Sequence, residues 1–295
     1  MFFNFSLNLF LTLCPMLMWH HTTYAAFETP ESGSQFDKIS SHIEDHYKAQ
    51  QEIVLPTRSK KVIEFAVSSL ANLARERGGL VIGEIHHQLG GKQLLIALMR
   101  HLQDEAVLFL EHVYKDEDYQ FRSKLKDYTI YKKNMDQDLK AHLARLDLHK
   151  EPLPENQRQY DEQWEICNYE KIMTQAQQNS IEVIPIDHSL FYHHSKYKKG
   201  KNRYKSLNYF AVTAYETFKT QRHLTFSTPH ATVNDRNSKI PIFFVGNAHI
   251  NYFQEVPGIA DQLDLPSLAV YDTGTQPVKE ILCDFEIFRN PFSAD

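Results

Sequence analysis

VIGEIHH, residues 81–87, ends an apolar run with a glycine, a carboxylate and two imidazoles. A run of this kind, entered after Gly78-Gly79, reads as a strand buried on both faces. Charged and titratable groups at the end of a buried strand are costly unless something uses them. The pattern returns in FFVGNAHI, residues 243–250, where a second apolar run ends in Gly-x-x-His. Whatever these two strand ends share, the fold must bring them together.

Further apolar runs of strand length occupy residues 106–113, 181–187 and 267–272, alongside 80–84 and 240–246. Residues 283–288 alternate in polarity and are expected to form an edge strand. Helical spacing is read over 91–103, 155–178, 205–221 and 257–263. It is also read over 61–77, where Val62, Phe65, Leu70 and Leu73 share a face and Gly78-Gly79 ends the helix. Strands alternating with helices predict an α/β fold: a mostly parallel central sheet flanked by helices on both faces, with helical insertions. Residues 61–295 are expected to form this single domain, behind a polar lead-in over 26–60.

In open α/β sheets, chemistry sits beyond the carboxyl ends of the strands. Glu84, His86 and His87 stand at the first such end, Glu111 and His112 at the second, Asp187 and His188 at the third, and His249 at the fourth. Glu84 and His86 share a side if the chain stays extended, so both can reach one pocket. By the same alternation His87, His112 and His188 are expected outside it. A carboxylate abutting Val-Leu-Phe-Leu, as Glu111 does, is desolvated and suits a general acid, a base or a metal ligand. Bland alternatives exist for each residue. Glu84 and His86 fit a capping turn, Glu111 and Asp187 fit salt bridges to Arg203 or Lys92, and His249 fits packing under a loop.

The bulk numbers exclude several classes. The 295 residues are 42% hydrophobic, enough for one large core, and carry a formal net charge of −5. No nucleic-acid partner is expected from that balance, and the basic run at 193–205 reads as a solvated loop. Gly-x-Gly-x-x-Gly, P-loop, Gly-x-Ser-x-Gly and His-Glu-x-x-His patterns are absent. Residues 1–25 contain no charged side chain and an apolar run before Thr23-Tyr24-Ala25, which reads as a cleaved export signal despite the missing basic residue near Met1. The other reading of that run is an uncleaved weak anchor; after cleavage no stable membrane span is expected. The destination would be periplasmic or secreted. Removal of the signal leaves Cys167 and Cys283, structural or free.

Taken together, VIGEIHHQLGGKQLLIALMRHL, VLFLEHV, LKAHLARLD, IEVIPID, RYKSLNYFA and FFVGNAHINYFQEVPGIADQLDLPSLAVYD resemble a known superfamily. It joins TIKI/TraB proteases, ChaN-like haem-binding lipoproteins and erythromycin esterases. The resemblance is closest to a related domain of large bacterial protein toxins and secreted effectors, and spans most of 78–273. It implies one pocket built from both Gly-x-x-His motifs. From the protease branch it implies a divalent metal, Mn or Zn, on His86 and His249 with Glu111, and hydrolysis of a peptide or ester bond. In that reading Glu111 or Asp187 completes the shell, Glu84 moves the proton, and Lys92 or Arg203 steadies the oxyanion on the substrate side. The esterase branch implies His86 as a metal-free base beside Glu84. The ChaN branch implies haem or iron as an alternative cofactor, and the toxin branch a non-catalytic interaction domain with a host target.

Overall fold

The computed structural model describes residues 32–50, 61–62, 67–115, 120–147, 157–188, 191, 199–226, 239–276 and 283–289. The expected export signal and residues 51–60 of the lead-in lie outside the described residues. The chain divides into two units, Met1–His46 and Tyr47–Asp295. The described part of the first belongs to helix α1 (Ser32–Gln50).

The second unit is the α/β body. Strand β1 (Lys61–Val62) is followed by α2 (Val67–Arg77), β2 (Leu80–Glu84), α3 (Gly90–Leu102) and β3 (Ala106–Lys115). Then come α4 (Gln120–Thr129), α5 (Gln137–Leu146), α6 (Gln157–Ile166), α7 (Tyr169–Gln178) and β4 (Glu182–His188). The long helix α8 (Lys201–Phe226), β5 (Ile240–Gly246), α9 (Ile259–Leu263), β6 (Ser267–Asp272) and β7 (Phe285–Arg289) complete it. The seven strands form one sheet in the order β1-β7-β6-β2-β5-β3-β4, and every pairing is parallel.

Period-two alternation sorts the strand side chains into two cores. Leu80, Ile82, Leu108, Leu110, Ile242 and Phe244 pack with α2, α3, α4, α5 and α7 on one face. Val81, Phe109, Phe243 and Val245 pack with α8 and α9 on the other. Phe109 and Phe243 are register partners, and their rings stack at 4.6 Å. Such a pair adds about 0.5–1.5 kcal/mol beyond its buried area.

Three expectations need correction. The helix read over 61–77 begins at Val67, because Lys61 and Val62 pair with β7 as a strand. That pairing gives β7 a neighbour on each side, so it is not an edge strand. The single helix read over 155–178 is two, α6 and α7, broken at Cys167-Asn168. Asn168 starts the second by accepting the Lys171 N–H at 2.9 Å.

The sheet order has a direct bearing on function. β2, β5, β3 and β4 are consecutive neighbours, and Glu84 lies in register beside Gly246. The four strand ends singled out by their acids and imidazoles therefore form an uninterrupted stretch of the carboxyl rim.

Candidate active site

Glu84 anchors the site. Gly91, in the first turn of α3, lets that helix close onto the end of β2: a Cβ there would stand 2.8 Å from the Glu84 Cβ. Asp272, at the end of β6, holds the helix start by accepting the Leu89 and Gly90 N–H groups at 3.2 and 2.7 Å. The geometry buries Lys92 completely and aims its Nζ at Glu84 Oε2, 2.9 Å away. The other two ammonium bonds go to the carbonyls of His86 (2.8 Å) and Gln88 (3.3 Å). The rings of Trp164 and Tyr169 lie 5.3 and 5.1 Å from the same nitrogen. Lys92 thus spends its three donors inside the protein rather than on the substrate side.

The second carboxylate oxygen of Glu84 accepts the Tyr169 hydroxyl at 3.0 Å and faces His86 Nδ1 at 3.2 Å. Burial alone would raise the pKa of Glu84. The Lys92 charge, then His86, overcome it and bring the carboxyl down to about 2. Glu84 is an anion throughout the neutral range, and a rigid one.

His86 is the reachable group, with its side chain 46% exposed. Desolvation pushes its pKa down, but the bond to Glu84 and the charges of Glu111 and Glu84 outweigh it, so the net shift is upward. Its ring fits against Gly246, where a Cβ would lie 2.9 Å from Cε1. His112 meets His86 edge-on, with Nε2 3.0 and 3.1 Å from the two ring nitrogens. Alternation had placed His112 outside the pocket. The ladder breaks between Leu110 and Tyr114, and His112 takes a left-handed φ of 69°, which swings its ring inward. The turn is held by His142 Nε2, which donates to the His112 carbonyl at 2.9 Å. Burial, then the His86 charge, keeps the pKa of His112 well below its ordinary value.

Glu111 lies at the centre of the rim. One oxygen accepts the Gly246 N–H at 2.6 Å. The other is 3.6 Å from Arg203, 3.8 Å from His249 Nε2 and 3.9 Å from His112 Nε2. Arg203, in the first turn of α8, grips Asp187 with two bonds of 2.8 and 2.6 Å. Burial would raise the Asp187 carboxyl, but this fork holds it low. His249 is buried, and desolvation takes its pKa down to about 4. Its Nδ1 is 2.8 Å from Asn208 Oδ1, and the Tyr204 ring packs edge-on at 5.4 Å.

The structure therefore joins Glu84, His86, Lys92, Glu111, Asp187, Arg203 and His249 in one connected network, and adds His112, Tyr169 and Asn208. His188 stays apart, packed against Phe191 and Phe210. The three nearly fully buried carboxylates, Glu84, Glu111 and Asp187, face two fixed cations, Lys92 and Arg203. One negative charge is left over, and this residue of charge bears directly on the chemistry.

No protein-family model matches the chain, and no curated protein does. Among the solved structures similar to it are the following two. One is RRSP, a MARTX toxin effector domain from Vibrio vulnificus CMCP6, at 19% identity and a TM-score of 0.47, covering 94% of this chain and 46% of that one. This chain thus spans about half the length of that structure. The other is the type III effector HopBA1, at 17% identity and a TM-score of 0.46, covering 80% of this chain and 98% of that one.

Proposed function

We propose that the rim is a hydrolase site in which His86 is the general base, cleaving a peptide or an ester bond. The observation that carries this reading is the Glu84–His86 contact, with Glu84 itself locked by Lys92 and Tyr169. Glu84 accepts the Nδ1–H of the imidazole, which leaves Nε2 with the lone pair. Nε2 takes a proton from water as the water oxygen bonds to the carbonyl carbon. The tetrahedral intermediate then collapses, the C–N or C–O bond breaks, and His86 returns the proton to the leaving group. The imidazolium formed on the way supplies the one positive charge that the buried carboxylates lack. Lys92 acts by positioning Glu84. Arg203, 12% exposed and fixed by Asp187, is the cation left to steady the oxyanion.

A second reading rests on a separate observation. His86, Glu111 and His112 offer ligand atoms that all lie within 4.8 Å of one another. Two imidazoles and a carboxylate fit Mn or Zn, and Glu84 behind His86 Nδ1 is the outer partner such a ligand ordinarily has. His112 stands in this set where His249 was expected. Bound there, an ion would supply Lewis acidity and a water of lowered pKa. The haem alternative gains no support from His249, which is 4% exposed behind Asn208 and Tyr204.

The experiment is a cleavage screen of peptides and model esters by wild type and His86→Gln, each with chelator and with added Mn²⁺ or Zn²⁺. Cleavage that survives chelator and is lost in His86→Gln supports the base. Cleavage abolished by chelator and restored by metal transfers the reaction to the ion. Wild type inert under every condition would leave a binding domain, with a host protein as the partner to seek.

A further inference from the structure

Asn208 lies in the second turn of α8 and is fully buried. Its Nδ2 donates to the Pro257 carbonyl at 2.9 Å. A prolyl carbonyl can only accept, so the amide has one permitted orientation. The hydroxyl of Tyr47 takes a bond from the same side chain. The oxygen of Asn208 is thereby turned to His249 Nδ1, 2.8 Å away, and it too can only accept. The hydrogen of the neutral imidazole must then sit on Nδ1, and Nε2 is bare.

Nε2 faces Glu111 Oε1 at 3.8 Å, beyond hydrogen-bond reach. Two acceptors therefore oppose each other across a gap at the centre of the rim. A donor placed in that gap can bond to both. Arg203 approaches the same Glu111 oxygen at 3.6 Å.

We propose that Asn208 is a positioning residue that fixes His249 as the Nδ1–H tautomer, making Nε2 and Glu111 Oε1 a paired acceptor for an O–H or N–H donor: the attacking water or a substrate amide. The tautomer follows from contacts alone. Only the identity of the donor rests on the hydrolase reading.

The test is the imidazole nitrogen spectrum of the full chain labelled with ¹⁵N-histidine, with the His249 signals assigned by their loss in His249→Gln. Wild type should show a pyrrole-like Nδ1 and a pyridine-like Nε2. Asn208→Asp, which keeps an acceptor of the same shape, should preserve the pattern. Asn208→Leu should lose it, moving the hydrogen to Nε2, the side that faces the Glu111 charge. Glu111→Gln should leave the tautomer as it is. A wild-type spectrum with the hydrogen on Nε2 overturns the proposal even if no variant folds. So does an Asn208→Leu spectrum identical to wild type. Neither result depends on whether hydrolysis is detected, so the tautomer and the hydrolase reading can fail separately.

Discussion

His86 and His249 close two copies of the same four-residue pattern, and their surroundings give them opposite chemistry. His86 leans on an ionised carboxylate, is nearly half exposed, and has its pKa raised. His249 leans on a neutral amide, is buried, and is held at about 4. One imidazole is drawn towards its charged form and the other is held neutral. The spacing of glycine and histidine sets where the ring goes. The partner on Nδ1 sets what the ring does.

The largest expected break in this comparison comes from His86→Gln. It removes the proton acceptor while leaving a half-exposed position, so turnover should fall about 10²–10⁴-fold. Thermal melting should stay near wild type. Equal turnover in wild type and variant would move the base elsewhere.

Lys92→Met comes next. It strips the counter-charge from a buried anion and should cost about 3–5 kcal/mol in a urea titration. Adding Glu84→Gln should recover part of that loss, because the uncompensated charge goes with it. An additive double variant would mean that the two groups are not coupled.

The motif glycines sharpen the contrast. A Cβ on Gly83 would meet Asn247 Oδ1 at 2.4 Å and Ile250 Cγ2 at 2.6 Å, inside the packing. Gly83→Ala should destabilise by about 1–3 kcal/mol. A Cβ on Gly246 would meet the tip of the His86 ring, which has room to move. Gly246→Ala should therefore lower turnover with little change in melting. Matching effects from the two variants would erase the distinction between the motifs.

The smallest effects are in pH. A base works unprotonated, so turnover should rise with pH through a midpoint above the ordinary histidine value of 6.5. Glu84→Gln should move that midpoint down. Stability responds in a lower window. Glu84 has a folded pKa of about 2 against an ordinary 4.5, so its contribution is present above 4.5 and fades as pH falls towards 2. Urea midpoints across that window measure it, and a flat profile would mean that the carboxyl is not held low.

Glu84, Glu111, Asp187 and His249 are legible in the chain because parallel strands all end on one rim, so a polar residue after an apolar run is already located. His112 is not, because a single left-handed residue undoes the alternation that predicts its side. Tyr169 and Asn208 escape for another reason: each is one polar residue in a helical pattern, indistinguishable by spacing from its solvated neighbours. β1 is two residues long, too short to carry any period. The burial of Lys92 is not legible either, because it depends on Gly91 allowing α3 to close, which is a matter of contact and not of local pattern.

β5 separates β2 from β3 in the sheet, although it follows both by more than a hundred residues. Until that late segment slots in, the strands ending in Glu84 and Glu111 share no sheet ladder, and His249 has not yet arrived. A growing polypeptide would thus carry the rim residues apart for most of its synthesis and gather them only as its last third docks.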